Sequence, residues 1–159
     1  MIEVLRADDT DIEALRPLWN TLRAHHESVA PEFGELRDES EGWEIRARDY
    51  RDMLAEGGAL FIARDGDELV GMAICERDES RSATWPYPRQ YLHVVDLVTV
   101  SEARGRRIGE RLMAAAEAEA RARGYEAIDL MVAGPNEGAR RFYERLGYSA
   151  DLVVYRKRL

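Results

Sequence analysis

Apolar and polar positions along the chain follow two different periods, and the places where the period changes mark out a string of short elements. Ile2 to Arg6 reads as a short strand. Thr10 followed by Glu13 forms a capping box that opens a helix carrying Ile12, Leu15, Leu18, Trp19 and Leu22 on one side, and Pro17 predicts a kink within it. From His25 to Glu39 the pattern lapses into Pro31, Gly34 and charges, which predicts a loop. Ser40 then caps a second helix that buries Trp43, Ala47, Tyr50 and Leu54.

Gly58 to Arg64 and Glu68 to Arg77 are apolar runs around Asp65-Gly66, a dipeptide suited to a tight turn, so an antiparallel hairpin is expected. Residues 78 to 90 are polar, carry Trp85, Pro86, Tyr87 and Pro88, and read as a loop. Tyr91 to Val100 is a long β-branched stretch expected as a central strand. Ser101 to Arg107 leads into a helix from Ile108 to Arg123, ended by Gly124. Ala127 to Val132 predicts another strand, and Pro135 to Leu146 a helix whose Ala139, Phe142, Tyr143 and Leu146 share one side, ended by Gly147. Leu152 to Arg158 is expected to close the sheet. The element order predicts an α/β fold in which a mixed β-sheet is flanked by helices on both faces.

Composition narrows the function. The 159 residues suit one domain and show no repeat, low-complexity tract or linker, so a single domain over residues 1–159 is expected. The longest apolar runs, near Gly58 to Ala63 and Leu69 to Cys75, fall short of the roughly 20 residues of a membrane span. Glu3, Arg6, Asp8, Asp9, Asp11, Glu13 and Arg16 leave no apolar signal segment at the start, which predicts a cytoplasmic protein. A net charge of −8 disfavours nucleic acid and anionic lipid as partners and favours a cationic small substrate. The lone Cys75 reads either as a catalytic thiol or as a small buried hydrophobe in an apolar strand, and the second reading is the expected one.

Chemistry concentrates where strand turns into helix. Arg104-Gly105-Arg106-Arg107-Ile108-Gly109 would set unsatisfied N–H groups at a helix N-terminus, and small residues there let a phosphate approach the backbone. No Gly-Lys-Ser/Thr of a P-loop and no G-x-G-x-x-G of a dinucleotide fold is present. On this segment alone a surface loop with a solubilising arginine cluster fits equally well.

A second segment extends the pattern: Asn136, then Ala139, the pair Phe142-Tyr143, and Leu146-Gly147-Tyr148. Together with Val98-Thr99-Val100 leading into Arg104 to Gly109, it resembles the GNAT superfamily of acetyl-CoA-dependent N-acetyltransferases. The family's diphosphate motif, Arg/Gln-x-x-Gly-x-Gly/Ala, is matched by Arg104 and Gly109, while its usual middle glycine is Arg107 here. The resemblance covers roughly residues 58 to 150.

This resemblance implies a transfer of acetyl from acetyl-CoA to a primary amine of a small molecule or a protein by direct attack. It implies that backbone groups of Val98, Thr99 and Val100 pair with the pantetheine arm, where the strands at 91 to 100 and 127 to 132 splay apart. It further implies that Arg104, Gly105, Arg106, Arg107, Ile108, Gly109 and Glu110 surround the diphosphate and that Asn136 contacts the arm. Tyr143 would be the general acid to the leaving thiolate; its spacing beside Ala139 also suits a core aromatic. Asp96 would bind or deprotonate the amine, directly or through water, or make a structural hydrogen bond at a strand edge. His93 is the fallback base, on the opposite face from Asp96 unless a bulge intervenes.

His25, His26 and Glu27 invite a metal reading, but no ligand-spaced set completes it, so no metal is expected. With Trp43 and the loop carrying Trp85 and Tyr87 they are candidates for walls of an acceptor pocket. A homodimer, common in the family, is compatible with the C-terminal strands. The competing reading is a non-catalytic acetyl-CoA-binding or sensing domain with a protein partner.

Overall fold

The hairpin seeds the sheet. In the computed structural model, which describes residues 1–80, 83–85, 89–103, 105–157 and 159, Asp65 pairs with Glu68 and leaves Gly66 and Asp67 as a two-residue turn. Gly66 sits there at φ 62°, the left-handed conformation that such turns require. The flanking strands are β2 (Ala59–Asp65) and β3 (Glu68–Glu79). β1 (Ile2–Ala7) adds antiparallel to β2, and β4 (Gln90–Thr99) antiparallel to β3. β5 (Ala127–Leu130) adds parallel to β4, which gives a five-stranded mixed sheet in the order β1-β2-β3-β4-β5.

Helices cover both faces, as the patterning predicts. On one face Leu60, Ile62, Met72, Ile74 and Val98 of the sheet meet Leu18, Trp19 and Leu22 of α1 (Arg16–Val29) and Trp43, Ala47 and Tyr50 of α2 (Glu39–Ala55). On the other, Phe61, Ala73, Cys75, Leu92 and Val94 meet Ile108, Leu112, Met113 and Ala116 of α3 (Ile108–Ala122), with Phe142 and Tyr143 of α4 (Glu137–Arg145) packed alongside. No helix among the described residues is long and apolar enough to cross a membrane.

The front of the chain departs from the pattern in its boundaries. Asp8, not Thr10, is the cap: its side chain accepts from the Thr10 N–H, and Asp11 closes the box. The first turns, Asp9–Leu15, are 3-10, and α1 begins at Arg16 with Pro17 in its first turn. Proline there lacks only an N–H that would have had no helical partner, so it starts a helix where a kink was expected. α1 then runs on through Val29 and takes His25 and His26 out of the expected loop. Asp38, not Ser40, caps α2, accepting from the N–H groups of Ser40 and Glu41.

The end of the chain departs more. Leu152 to Tyr155 form no strand, and Leu152, Val153, Val154 and Tyr155 are exposed. A β-branched run becomes a strand only beside a ladder partner, and no described strand lies along this one, so its propensity goes unused. Arg158, the last residue of the expected strand, lies outside the described residues.

α3 approaches the sheet at Gly71. A Cβ there would lie 3.0 Å from the Val98 carbonyl oxygen, 3.1 Å from Leu112 Cδ1 and 3.2 Å from Ile108 Cγ2. Gly71→Ala is therefore expected to push α3 off the sheet and to destabilise the fold by about 1–3 kcal/mol, read as a lower midpoint in urea unfolding.

Candidate active site

β4 and β5 pair only from Tyr91–Ala127 to Val94–Leu130. β5 stops at Leu130 while β4 continues to Thr99, so the two strands part company halfway along β4. Past that point β4 remains bonded on its other side: Val98 pairs with Met72, Thr99 with Gly71, and the Val100 N–H donates to the Val70 carbonyl at 3.0 Å. The edge facing the gap has no strand partner among the described residues, and its N–H and C=O groups need one. Val98 to Val100 thus lie along the gap between the two strands.

At the wide end of this gap α3 begins. Its cap residue, Arg107, supplies no side-chain hydrogen bond to the first turn, which leaves the early N–H groups uncapped beside the positive end of the helix dipole. Arg107 adopts φ 57° and ψ 25°, the left-handed region where the family pattern has glycine. Its guanidinium lies on the surface against Glu110, Nε to Oε2 at 2.6 Å. Arg106 is tied to the hairpin, Nη1 to Asp65 Oδ2 at 2.7 Å. Gly105 has open space where a Cβ would be, whereas at Gly109 a Cβ would lie 3.2 Å from Phe142 Cζ, so that glycine admits α4 to the start of α3. Arg104 lies outside the described residues.

α4 brings two more of the anticipated side chains. Asn136 is its cap, accepting from the Ala139 N–H at 3.1 Å, and the same amide donates towards His25 Nε2 at 3.4 Å. Tyr143 is partly buried, edge-on to Phe142 and Tyr148 at centroid distances of 5.0 and 5.8 Å. Burial first, and the Asp96 carboxylate second, push its phenol up to about 12, so it keeps its proton at neutral pH. Its hydroxyl has no hydrogen-bond partner among the described residues.

Asp96 is 7% exposed, and its Oδ2 accepts the Tyr50 hydroxyl at 2.6 Å, with Arg46 Nε at 3.8 Å. Burial and the adjoining carboxylate hold the Tyr50 phenol far above its ordinary range. Sequence patterning placed Tyr50 in the core as an apolar wall and gave Arg46 no role. The available signal was their i, i+4 spacing on α2, which puts a cation and a hydroxyl over the same point of the sheet.

A β-bulge sets the orientation of β4. Ile74 pairs with Asp96 but Cys75 pairs with Val94, leaving Val95 as the extra residue. His93, paired with Glu76, therefore points to the same face as Asp96, where simple alternation put it on the other. Its Nδ1 lies 2.7 Å from Oδ1 of Asp129, its partner across the β4–β5 ladder. The hydrogen bond to Asp129 raises the imidazole pKa above 6.5, against the opposing effect of burial. Asp129 was missed, although a carboxylate inside the apolar run Ala127 to Leu130 was the signal.

The other anticipated walls lie in different settings. Trp43 is 4% exposed, meets the Trp19 ring at a tilt with centroids 5.5 Å apart and donates to Glu13, so it belongs to the core between α1 and α2. Trp85 is exposed, and Tyr87 lies outside the described residues. Cys75 is fully buried with its thiol pushed up to about 12, which removes it as a nucleophile.

Comparison with known proteins shows the family. The sequence profile described as the acetyltransferase (GNAT) family matches residues 22–148. N-alpha-acetyltransferase 30 of Schizosaccharomyces pombe is 36% identical over 96 residues, 60% of this chain and 61% of that protein. Mycothiol acetyltransferase of Propionibacterium freudenreichii is 30% identical over 153 residues, 92% of this chain but 44% of that protein. The chain thus spans less than two thirds of the length of either relative. A "predicted acetyltransferase with acetyl-CoA" from Clostridium acetobutylicum has the same fold, with a TM-score of 0.77 at 17% identity, covering 99% of this chain and 96% of that one.

The left-handed Arg107 carries a cost of about 1–2 kcal/mol. Arg107→Gly relieves it while loosening the unfolded chain by about 0.4–1 kcal/mol, so the urea midpoint should hold or rise slightly. Arg107→Val, whose branched Cβ tolerates that conformation least, should lower stability by about 1–3 kcal/mol.

Proposed function

Because this chain belongs to the GNAT acetyltransferase family, we propose that it transfers the acetyl group of acetyl-CoA to a primary amine of a small molecule or a protein by direct attack. The observation that carries this reading is the unpaired edge of β4 running from the last β5 pair towards the uncapped N-terminus of α3. An extended arm bearing amide groups suits the first, and a diphosphate suits the second.

In this reading Val98, Thr99 and Val100 offer backbone groups to the pantetheine arm. The N–H groups from Gly105 to Glu110 hold the diphosphate, with Arg104 as a further cation of the motif. Arg106 and Arg107, engaged with Asp65 and Glu110, add positive charge around it. Asn136 fixes the start of α4 and keeps an amide turned towards His25. Acetyl-CoA supplies the activated acyl carbon and a thiol leaving group; no metal is required.

Tyr143 donates its hydroxyl proton to the departing sulfur. A phenol near 12 is a weak acid towards a thiolate whose ordinary conjugate pKa is about 8.5. The proton therefore moves fully only as the phenol is resupplied from the nitrogen that has just become an amide. Asp96, oriented by Tyr50, attracts and aligns the incoming ammonium.

The two curated relatives support testing α-amines alongside ε-amines and polyamines, since one carries an N-alpha-acetyltransferase name. Free-thiol release from acetyl-CoA should be followed with spermidine, lysine, an aminoglycoside, a lysine peptide and a peptide bearing a free α-amine. Tyr143→Phe is expected to lower kcat by about 10²-fold or more, with calorimetric affinity for acetyl-CoA unchanged. Wild-type turnover in that variant removes Tyr143 from the chemistry, and acetyl-CoA binding without turnover on any amine favours a sensing role.

A further inference from the structure

His93 and Asp129 form the penultimate pair of the β4–β5 ladder, one residue before the two strands separate. They therefore sit at the apex of the gap. The bulge at Val95 turns His93 to the face that carries Asp96. The imidazole is largely buried, at 13% exposure, while Asp129 is more than half open to solvent. Because a carboxylate can only accept, the 2.7 Å contact fixes the proton on Nδ1 and leaves Nε2 as the ring's lone-pair nitrogen. Asp96 is already engaged, since its Oδ2 accepts the Tyr50 hydroxyl and lies 3.8 Å from Arg46 Nε.

The geometry points to His93 as the base that takes a proton from the attacking amine, with Asp129 as the residue that positions its ring. This inference rests on the acetyl-transfer reading and deepens it. A lysine-like ammonium is neutral in only about one part in 2,500 at pH 7, so a base at the apex has work to do. Nε2 removes one proton from the ammonium and later releases it to water. The freed lone pair forms the C–N bond at the acetyl carbon, and the C–S bond breaks with its electron pair going to sulfur. Sulfur takes the Tyr143 proton, and the phenolate recovers a proton from the new amide nitrogen. The sum is ammonium plus thioester giving amide, thiol and one proton.

Three carboxylates face the ring: Asp129 from β5, and Glu76 and Asp78 from β3, and each favours the protonated imidazole. The base form must therefore appear above the ordinary imidazole value, so kcat/KM should rise with pH along a limb lying above 6.5. Removing the Asp129 charge should move that limb towards acid.

The test uses the full chain with acetyl-CoA and whichever of spermidine, lysine or an α-amine peptide turns over, with NMR titration of the histidine rings in parallel. His93→Gln is expected to lower kcat by about 10²-fold or more without changing KM for acetyl-CoA. Asp129→Asn should shift both the acid limb and the resonance absent from His93→Gln, and Asp129→Glu should restore them in part. Wild-type kcat in His93→Gln overturns the base assignment while leaving acetyl transfer standing. An unmoved limb and resonance in Asp129→Asn overturn the pairing. A wild type that binds acetyl-CoA but acetylates no amine overturns acetyl transfer and the base role with it, whereas the ring titration still reports whether His93 is coupled to Asp129.

Discussion

Among the described residues four pairs join β4 to β5, while β4 itself runs on to Thr99 with no strand along that edge. A strand edge inside a folded protein carries a row of N–H and C=O groups that must bond to something. The rest of the architecture is arranged around that obligation. β5 ends early because the chain must turn through Gly134 and Pro135 into α4, and Asn136 makes that turn a helix start. α4 then lies against the beginning of α3, its Phe142 seated on the one position there that lacks a side chain. A gap, a helix terminus and a phenol thus come together as consequences of one truncated ladder.

The extra residue at Val95 has a comparable reach. Without it, the two halves of β4 would present a single alternating set, and either His93 or Asp96 would be turned into the α3 layer. With it, Leu92 and Val94 complete the apolar face under α3, while His93, Asp96 and Val98 all turn towards α1 and α2. Burying Asp96 beneath α2 is tolerable only because Tyr50 donates to it and Arg46 stands near, so a polar network is set into a layer otherwise made of Trp19, Trp43, Met72 and Ile74.

Much of this was readable from residue order. The hairpin at Gly66, the central strand, α3 with its glycine stop and the one-sided α4 all follow from local period and turn chemistry, which act within a few residues. What escaped reading depends on contacts between distant parts of the chain. Pro17 could kink a helix or begin one, and only the 3-10 turn before it decides. The bulge at Val95 is a mismatch in register between β3 and β4 and leaves no mark on β4 alone. Tyr50 looked like any inward aromatic until Asp96, far along the chain, gave its hydroxyl a partner. The Leu152 to Tyr155 run has every local sign of a strand and lacks only a neighbour.

That exposed run bears on how the molecule behaves as a colloid. Leu152, Val153, Val154 and Tyr155 form an apolar strip long enough to pair with a like strip or with the open side of β5. Arg156 and Lys157 follow it directly and act as charged gatekeepers. At neutral pH the net charge of −8 keeps molecules apart and such contacts rare. Near the isoelectric point of about 5.0 that repulsion vanishes while the strip remains, so mild acid is where this protein clouds first.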